Sequence, residues 1–382
     1  MRFLHTADLH IGKQLKAYGP EVEEKLGRAL IAVLRDILAL AAAEKIDLVL
    51  IPGDFIEQQE ITNREEREVI GILGEPRDFD IVFAAGNHDP YTVGDFYSKL
   101  EGIPRLHVLS PESMQCLEFP ELDTVIYGKS FGEVYQREPI DFTLCDSAMT
   151  NRIGVIHGDL TRPAETSLYS AVTTDAVRAS GLHYLALGHI HKPSERDGAG
   201  QYERVGKTVA VYPGSPQGLS FNEAGDRHVV IGELERGIWK SLEPVAVGKF
   251  NFYEESVAVD GIDGTGDIAD AVFAALAERH GPDFGRHIYR ITLTGEQDSP
   301  LPMAAVTEQL RQADVFEVPP VRLYDETYIA CDIGELSRES GLIGEFVREY
   351  EKRIASGNAD REALDRALDL AIKSFSERRT IC

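Results

Sequence analysis

The chain has 382 residues, with 39 Lys and Arg against 64 Asp and Glu, and a formal net charge of −25. That length suits one large domain plus one or two small ones, with a full buried core. No apolar run approaches a membrane span, and the acidic balance argues against indiscriminate nucleic-acid binding.

The N-terminus, Met1-Arg2-Phe3-Leu4-His5-Thr6-Ala7-Asp8, lacks the apolar region of a signal peptide and reads as the first strand of the fold. Cys116, Cys145, Cys331 and Cys382 are scattered, which predicts reduced thiols in the cytoplasm rather than a disulfide scaffold or zinc site. Arg2 to Ala7 is a short predicted strand closed by Asp8-Leu9-His10. In an extended segment, alternation puts Asp8 and His10 on one side, where a carboxylate and an imidazole can grip one metal ion. A capping Asp followed by a surface His is the plainer reading of the same triplet.

Glu21 to Lys45 has apolar residues at helical spacing. Asp47 to Ile51 is the next predicted strand, ended by Pro52-Gly53-Asp54, and Thr62 to Gly74 a second helix. Ile81-Val82-Phe83-Ala84 then makes a short buried strand, closed by Ala85-Gly86-Asn87-His88-Asp89. Such a β-α-β-α-β order implies parallel strands with right-handed crossovers, so the three loops gather at one sheet edge. Ligands bind at such edges.

Leu106 to Leu109 and Val125 to Gly128 read as short strands. Ile153 to Ile156 is a firmer strand ending in His157-Gly158-Asp159, and Tyr184 to Leu187 another, closed by Gly188-His189-Ile190-His191. Two histidines after a Gly favour ligands over structural residues. Val209 to Tyr212, Pro213-Gly214-Ser215-Pro216 and Arg227 to Glu233 complete a β-rich closure. Basic residues follow the candidate loops: Lys13, Lys16, Arg64, Arg67, Arg162, Lys192 and Arg196. They are either ordinary surface charge or a basic rim on an acidic body. On the second reading Lys13, Arg64, Arg162 and Lys192 are candidate nucleic-acid contacts.

Past residue 248 the chemistry stops. Strands are predicted over Phe252–Val259, Ile288–Leu293 and Val321–Ala330, with helices over Asp267–Arg279 and Pro302–Gln312. Leu342, Ile343, Phe346, Val347, Tyr350 and Ile354 make one helical apolar face, and Leu364, Ala367, Leu368, Ala371, Ile372 and Phe375 a second, with Asn358 as N-cap between them.

Asp8-x-His10, Gly53-Asp54, Gly86-Asn87-His88-Asp89, His157 and Gly188-His189-x-His191 together resemble the calcineurin-like metallophosphoesterases. A narrower branch, the SbcD-type exonucleases of DNA double-strand-break repair, is resembled in Leu4 to His10, in Ala186 to Pro193 and, most diagnostically, in Tyr212-Pro213-Gly214-Ser215-Pro216-Gln217-Gly218 and the residues up to Gly225. The resemblance implies an α/β fold: a four-layer α/β/β/α sandwich over 1–248, a small α/β capping domain that helps position DNA over 249–332, and a helical tail over 333–382 that docks on an SbcC-type coiled-coil ATPase. It implies two divalent metal ions, usually Mn2+. Asp8, His10 and His191 would hold one, Asn87, His157 and His189 the other, with Asp54 bridging and His88 the catalytic acid. It also implies homodimers, through a surface the sequence does not place. Mixed carboxylate, imidazole and amide donors suit manganese or iron.

Many relatives carry Leu-Phe-Asp or Leu-Phe-His after the Gly-Asp pair; this chain has Phe55-Ile56-Glu57, which leaves any accessory role there unassigned. Asp159 reads first as a helix cap, and alternatively as a residue orienting a ligand histidine. Three functions remain in view. The first is a metal-dependent nuclease on DNA ends. The second is a phosphoesterase for nucleotides or other small esters. The third, a non-catalytic subunit, is disfavoured by the full set of candidate ligands.

Overall fold

Strands β1 (Arg2–His5), β2 (Leu48–Pro52), β3 (Asp80–Ala84) and β4 (Leu106–Val108) lie side by side and parallel in a computed structural model of the chain. The structure describes residues 1–92, 94–142, 145–162, 167–329, 333–356 and 360–379. Parallel pairing requires crossovers. Helices α1 (Pro20–Ala43) and α2 (Asn63–Leu73) supply the first two. α1 starts on Pro20 and buries Val22, Leu26, Leu30, Val33 and Ile37, the stripe that its periodicity predicts. α2 is fixed by a capping box: Thr62 accepts from the Glu65 N–H and Glu65 from the Thr62 N–H.

A second sheet follows. Its strands are β5 (Gln115–Phe119), β6 (Thr124–Lys129) and β7 (Asn151–His157), then, beyond the short pair β8 (Leu160–Thr161) and β9 (Val172–Thr173) and helix α3 (Thr174–Ser180), β10 (Tyr184–Gly188), β11 (Arg204–Val205) and β12 (Thr208–Val211). Its order is β11-β12-β10-β7-β6-β5. The hairpin β13 (His228–Glu235) and β14 (Ile238–Ala246) then returns to the first sheet, β13 pairing antiparallel with β1, for an order β14-β13-β1-β2-β3-β4.

The two sheets face each other across a core of Phe3, Leu50, Val82, Ile153, Val155, Tyr184 and Val211. Tyr127, Ile156, Val177 of α3, Leu185 and Leu187 fill a second core on the far side of the second sheet. The result is the expected four-layer sandwich, with α1 and α2 on one side and α3 on the other. His5 Nδ1 meets the Tyr184 hydroxyl at 2.9 Å, linking the sheets, and burial holds its pKa down at about 3.

The chain divides into two units, Met1–Asn251 and Phe252–Cys382. In the second, β15 (Phe252–Ala258), β16 (Ile288–Gln297) and β17 (Arg322–Ile329) form a parallel sheet, connected by α4 (Thr265–His280) and α5 (Met303–Gln312). Val257, Ile268, Val272, Leu276, Ile291, Val306 and Leu310 make its core. Helices α6 (Ile333–Leu336), α7 (Leu342–Ser356) and α8 (Arg361–Arg379) end the chain, joined through Val347, Leu368 and Ile372. The predicted cap Asn358, and Ala330 at the end of the last predicted strand, lie outside the described residues. Among those residues, no helix is long and apolar enough to cross a membrane.

The expectation of reduced thiols is overturned at two of the four cysteines, while Cys331 and Cys382 lie outside the described residues. Cys116 and Cys145 form a disulfide, their Cα atoms 6.6 Å apart. The two cysteines are 29 positions apart in the sequence, so their spacing carried no sign of the pairing. It becomes visible only once the loop before β7 returns beside β5.

Candidate metal centre

Five strand ends converge on one side of the sandwich. Asp8 and His10 follow β1, Asp54 follows β2, and Asn87 and His88 follow β3; His157 ends β7, while His189 and His191 follow β10. The pairing of His157 with Gly188 in register brings the second-sheet residues together. Strand alternation is not what aligns Asp8 with His10: β1 ends at His5, and both residues adopt left-handed backbone, φ 55° and 47°, as do Asp54 (48°) and His189 (103°). Such conformations cost a non-glycine residue about 1–3 kcal/mol and persist only where neighbours hold them. Here the Asp8 N–H donates to Gly53 O (3.2 Å) and the His10 N–H to Asp54 O (2.9 Å). The curled backbone turns the side chains inward, as a convergent donor set requires.

Asp89 organises the first-sheet side. Its buried carboxylate accepts from the N–H groups of Asp54 (3.2 Å), Phe55 (2.7 Å), Ile56 (3.1 Å) and Gly86 (2.7 Å), and from the Tyr97 hydroxyl (2.7 Å). Gly86 is required by contact: a Cβ there would overlap Asp54 Oδ1, and one on Gly188 would overlap Pro52 O.

The histidine tautomers follow from their outer partners. His10 Nδ1 donates to Glu57 Oε2 (3.1 Å), His191 Nδ1 to Glu223 Oε1 (2.9 Å) and His157 Nδ1 to Pro52 O (3.0 Å). Oxygens of that kind only accept, so in each neutral ring the Nε2 lone pair faces inward. Yet His10 Nε2 and His191 Nε2 are 2.9 Å apart, and His157 Nε2 is 2.9 Å from Asn87 Oδ1. Lone pairs facing at that distance repel unless a proton or cation lies between them, so the donor set fits metal ions. Asn87 Oδ1 also lies 3.1 Å from His189 Nδ1, and Asp54 Oδ2 is 3.7 Å from His10 Nε2 and 3.5 Å from His157 Nε2, midway between the two groups. Ligand atoms of Asp8, His10 and His191 lie within 4.8 Å of one another, as do those of Asp54, His157 and His189.

The electrostatics follow from burial and pairing. Burial raises the Asp8 pKa. It also acts on Asp54, but His157, His10 and His88 outweigh it and hold that carboxylate below its usual range. Burial, with the His157 ring beside it, lowers His189 to about 4. His88 stands apart. Its side chain is 38% exposed, its N–H donates to Asp54 Oδ1 (2.9 Å), and its Nδ1 lies 2.5 Å from Glu57 Oε1. That hydrogen bond to Glu57 raises the His88 pKa above 6.5 despite partial burial.

Residues 1–193 match the family described as calcineurin-like phosphoesterase. The chain belongs to the calcineurin-like phosphoesterase family. Its relatives include the uncharacterized metallophosphoesterase YhaO of Bacillus subtilis (strain 168), 25% identical over 255 residues, 61% of this chain and 59% of that one. The SbcD component of the nuclease SbcCD from the same organism is 28% identical over 268 residues, 59% and 64% of the two chains. The DNA double-strand break repair protein Mre11 of Methanopyrus kandleri is 24% identical over 261 residues, 62% and 55%. The chain thus spans about three-fifths of the length of the curated relatives it matches. As in other phosphoesterases of the family, the donor clusters are suited to divalent metals.

Within this family member several residues acquire contacts that the sequence left open. Glu57 joins His10, His88 and the Lys13 ammonium (3.1 Å), and ligand atoms of His10, Glu57 and His88 form a third close group. Glu223, from the string after Pro213, accepts from Ser215 Oγ (2.7 Å), Leu219 N–H (3.2 Å) and Arg227 (3.2 Å) while holding His191. Arg227 also donates to His191 O (3.0 Å). Asp159 is not a helix cap: the strand β8 follows it, and its Oδ1 sits 3.4 Å from His189 Nε2. Of the basic residues, Lys13 and Lys192 are paired, with Glu57 and with Glu195 (2.6 Å), Arg196 is paired with Glu243 (2.7 Å), and Arg64 and Arg162 are exposed.

Proposed function

We propose that the chain is a two-metal DNA nuclease that processes DNA ends in double-strand-break repair, together with an SbcC-type ATPase. The observation that carries this reading is the double donor set, Asp8, His10 and His191 against Asn87, His157 and His189, with Asp54 Oδ2 between them and His88 on the open side. On this reading those seven residues would hold two divalent cations, manganese or iron by donor chemistry and Mn2+ by the family resemblance. Cations held by these residues would supply Lewis acidity toward a phosphoryl group.

The chain's own residues do the rest. Glu57 takes the His88 Nδ1 proton in a hydrogen bond, so the proton on Nε2 is the one available to the leaving sugar oxygen. Glu223, Glu57 and Pro52 O fix the histidine rings. Similarity to the SbcD component of SbcCD and to Mre11 supports DNA as substrate and an SbcC-type partner; docking of that partner through α7 and α8 is a further part of the proposal. The division into a nuclease domain (1–248), a capping domain (249–332) and a docking tail (333–382), the phosphate contacts of Lys13, Arg64, Arg162 and Lys192, and a cytoplasmic homodimer belong to the same proposal.

A second reading, hydrolysis of small phosphoesters, is favoured by the net charge of −25, which opposes a polyanion. End-labelled duplex and a chromogenic phosphodiester, each with Mn2+ or a chelator, separate the two. Manganese-dependent loss of duplex label supports the nuclease. Turnover of the small ester with DNA intact, even with a co-purified ATPase, supports the alternative.

A further inference from the structure

One groove of about 310 Å³ opens beside His88 and Asn87, and the chemistry above leaves its far wall unused. That wall carries Tyr135, 57% exposed, and Val134, 40% exposed. Tyr135 is not on a loose loop. The next residue, Gln136, bridges to Tyr169: its N–H donates to Leu168 O (3.0 Å) and its carbonyl accepts from the Ser170 N–H (2.6 Å). The Tyr135 and Tyr169 rings stand 5.9 Å apart, and Tyr169 in turn lies 4.6 Å from the His189 ring. An aromatic series therefore runs from open solvent to the candidate metal ligands. Gln58 also lines the groove, anchored by its N–H to His88 O (3.2 Å), and its Oε1 is buried without a hydrogen-bond partner among the described residues. A buried amide oxygen with no donor calls for one from a ligand.

We propose that Tyr135, backed by Tyr169, is a stacking platform for one unpaired nucleobase beside the scissile phosphate, with the Gln58 amide meeting a donor on the base edge. The inference rests on the nuclease reading and names its substrate as an end whose terminal base is free. Ligand sites run from about 300 to 1,000 Å³, so this groove has room for one nucleotide and none for a duplex. Stacking needs only an exposed ring and is tolerant of sequence, while the amide adds a preference for bases bearing an amino group.

The test uses the full chain and an oligonucleotide with 2-aminopurine at its end, with a chelator present so that neither metal nor turnover enters. Stacking quenches the fluorophore. Wild type and Tyr135→Phe should quench, and Tyr135→Ala should not, with affinity weakened about 5- to 100-fold. Removing the terminal base should cost wild type a similar factor and cost the Ala variant less than about 2-fold, because the two changes delete one interaction. Equal quenching by Tyr135→Ala, or equal cost of base removal in both proteins, overturns the platform. DNA binding without quenching in wild type also overturns it and assigns the patch to a protein contact. A wild type that neither binds the oligonucleotide nor degrades DNA overturns the nuclease reading itself, and this inference with it.

Discussion

Replacing Glu57 with Gln isolates the proton-transfer step. The amide presents one oxygen where the carboxylate presents two, so it can accept from His88 Nδ1 or from His10 Nδ1 but not from both. The charge facing His88 also disappears. A hydrogen bond to a charged group is worth about 1.5–3 kcal/mol, and the 38% exposure of the His88 side chain argues for the lower end. The His88 pKa should therefore fall in the variant. Its folded pKa is raised by Glu57, so the protonated acid persists to higher pH in wild type and is lost as pH rises through that value. In Glu57→Gln the alkaline limb of kcat on DNA should move to lower pH, with an approximately tenfold loss above it, the equivalent of about 1.4 kcal/mol. A nitrophenyl ester, whose leaving group needs no proton, should lose much less. The assay is a pair of pH–rate profiles, one per substrate. An unmoved alkaline limb, or equal losses on both substrates, would refute the role given to Glu57.

Three further outcomes are expected. Glu223→Ala frees His191 Nδ1, and loss of such an outer partner typically weakens metal affinity about 10- to 100-fold, measurable by calorimetric Mn2+ titration; unchanged affinity would remove Glu223 from the site. Asp89→Asn sets an amide N–H against backbone N–H donors that now point at a carboxylate, at a cost of about 1–3 kcal/mol, and thermal unfolding should fall by roughly 5 °C. The third concerns acid: the unfolded His5 binds a proton below about pH 6.5 and the folded one only below about 3, so between those values stability drops by about 1.4 kcal/mol per pH unit of acidification. His5→Phe should flatten that part of the urea-denaturation profile, and an identical acid slope would show that the folded His5 takes up its proton as readily as the unfolded one.

Much of the first unit was legible because its strands are short apolar runs closed by polar clusters, and because β-α-β order constrains where the loops go. The residues Asp8 through His191 announced themselves as His, Asp and Asn at those closures. What the sequence hid is what the fold assembles from a distance. Glu57 and Glu223 are ordinary glutamates until His10 and His191 are placed beside them, 47 and 32 residues away. Asp89 stood next to His88, yet its task depends on four backbone N–H groups from two loops. Asp159 is ambiguous in the sequence because a capping Asp and a ring-orienting Asp look alike before the following strand is known. The helical tail was legible from periodicity, and Val347, Leu368 and Ile372 join α7 to α8, but Leu342 and Phe346 of the predicted α7 face are 70% and 38% exposed.

The most direct test of the central claim compares wild type with His88→Ala in two readouts at once: bound Mn2+ per chain and loss of label from an end-labelled duplex. His88 lies outside both donor sets, so the variant should bind two Mn2+ like wild type while degradation of the duplex is abolished. A variant that loses metal along with activity would make His88 a ligand, and one that keeps full activity would contradict its role as the acid.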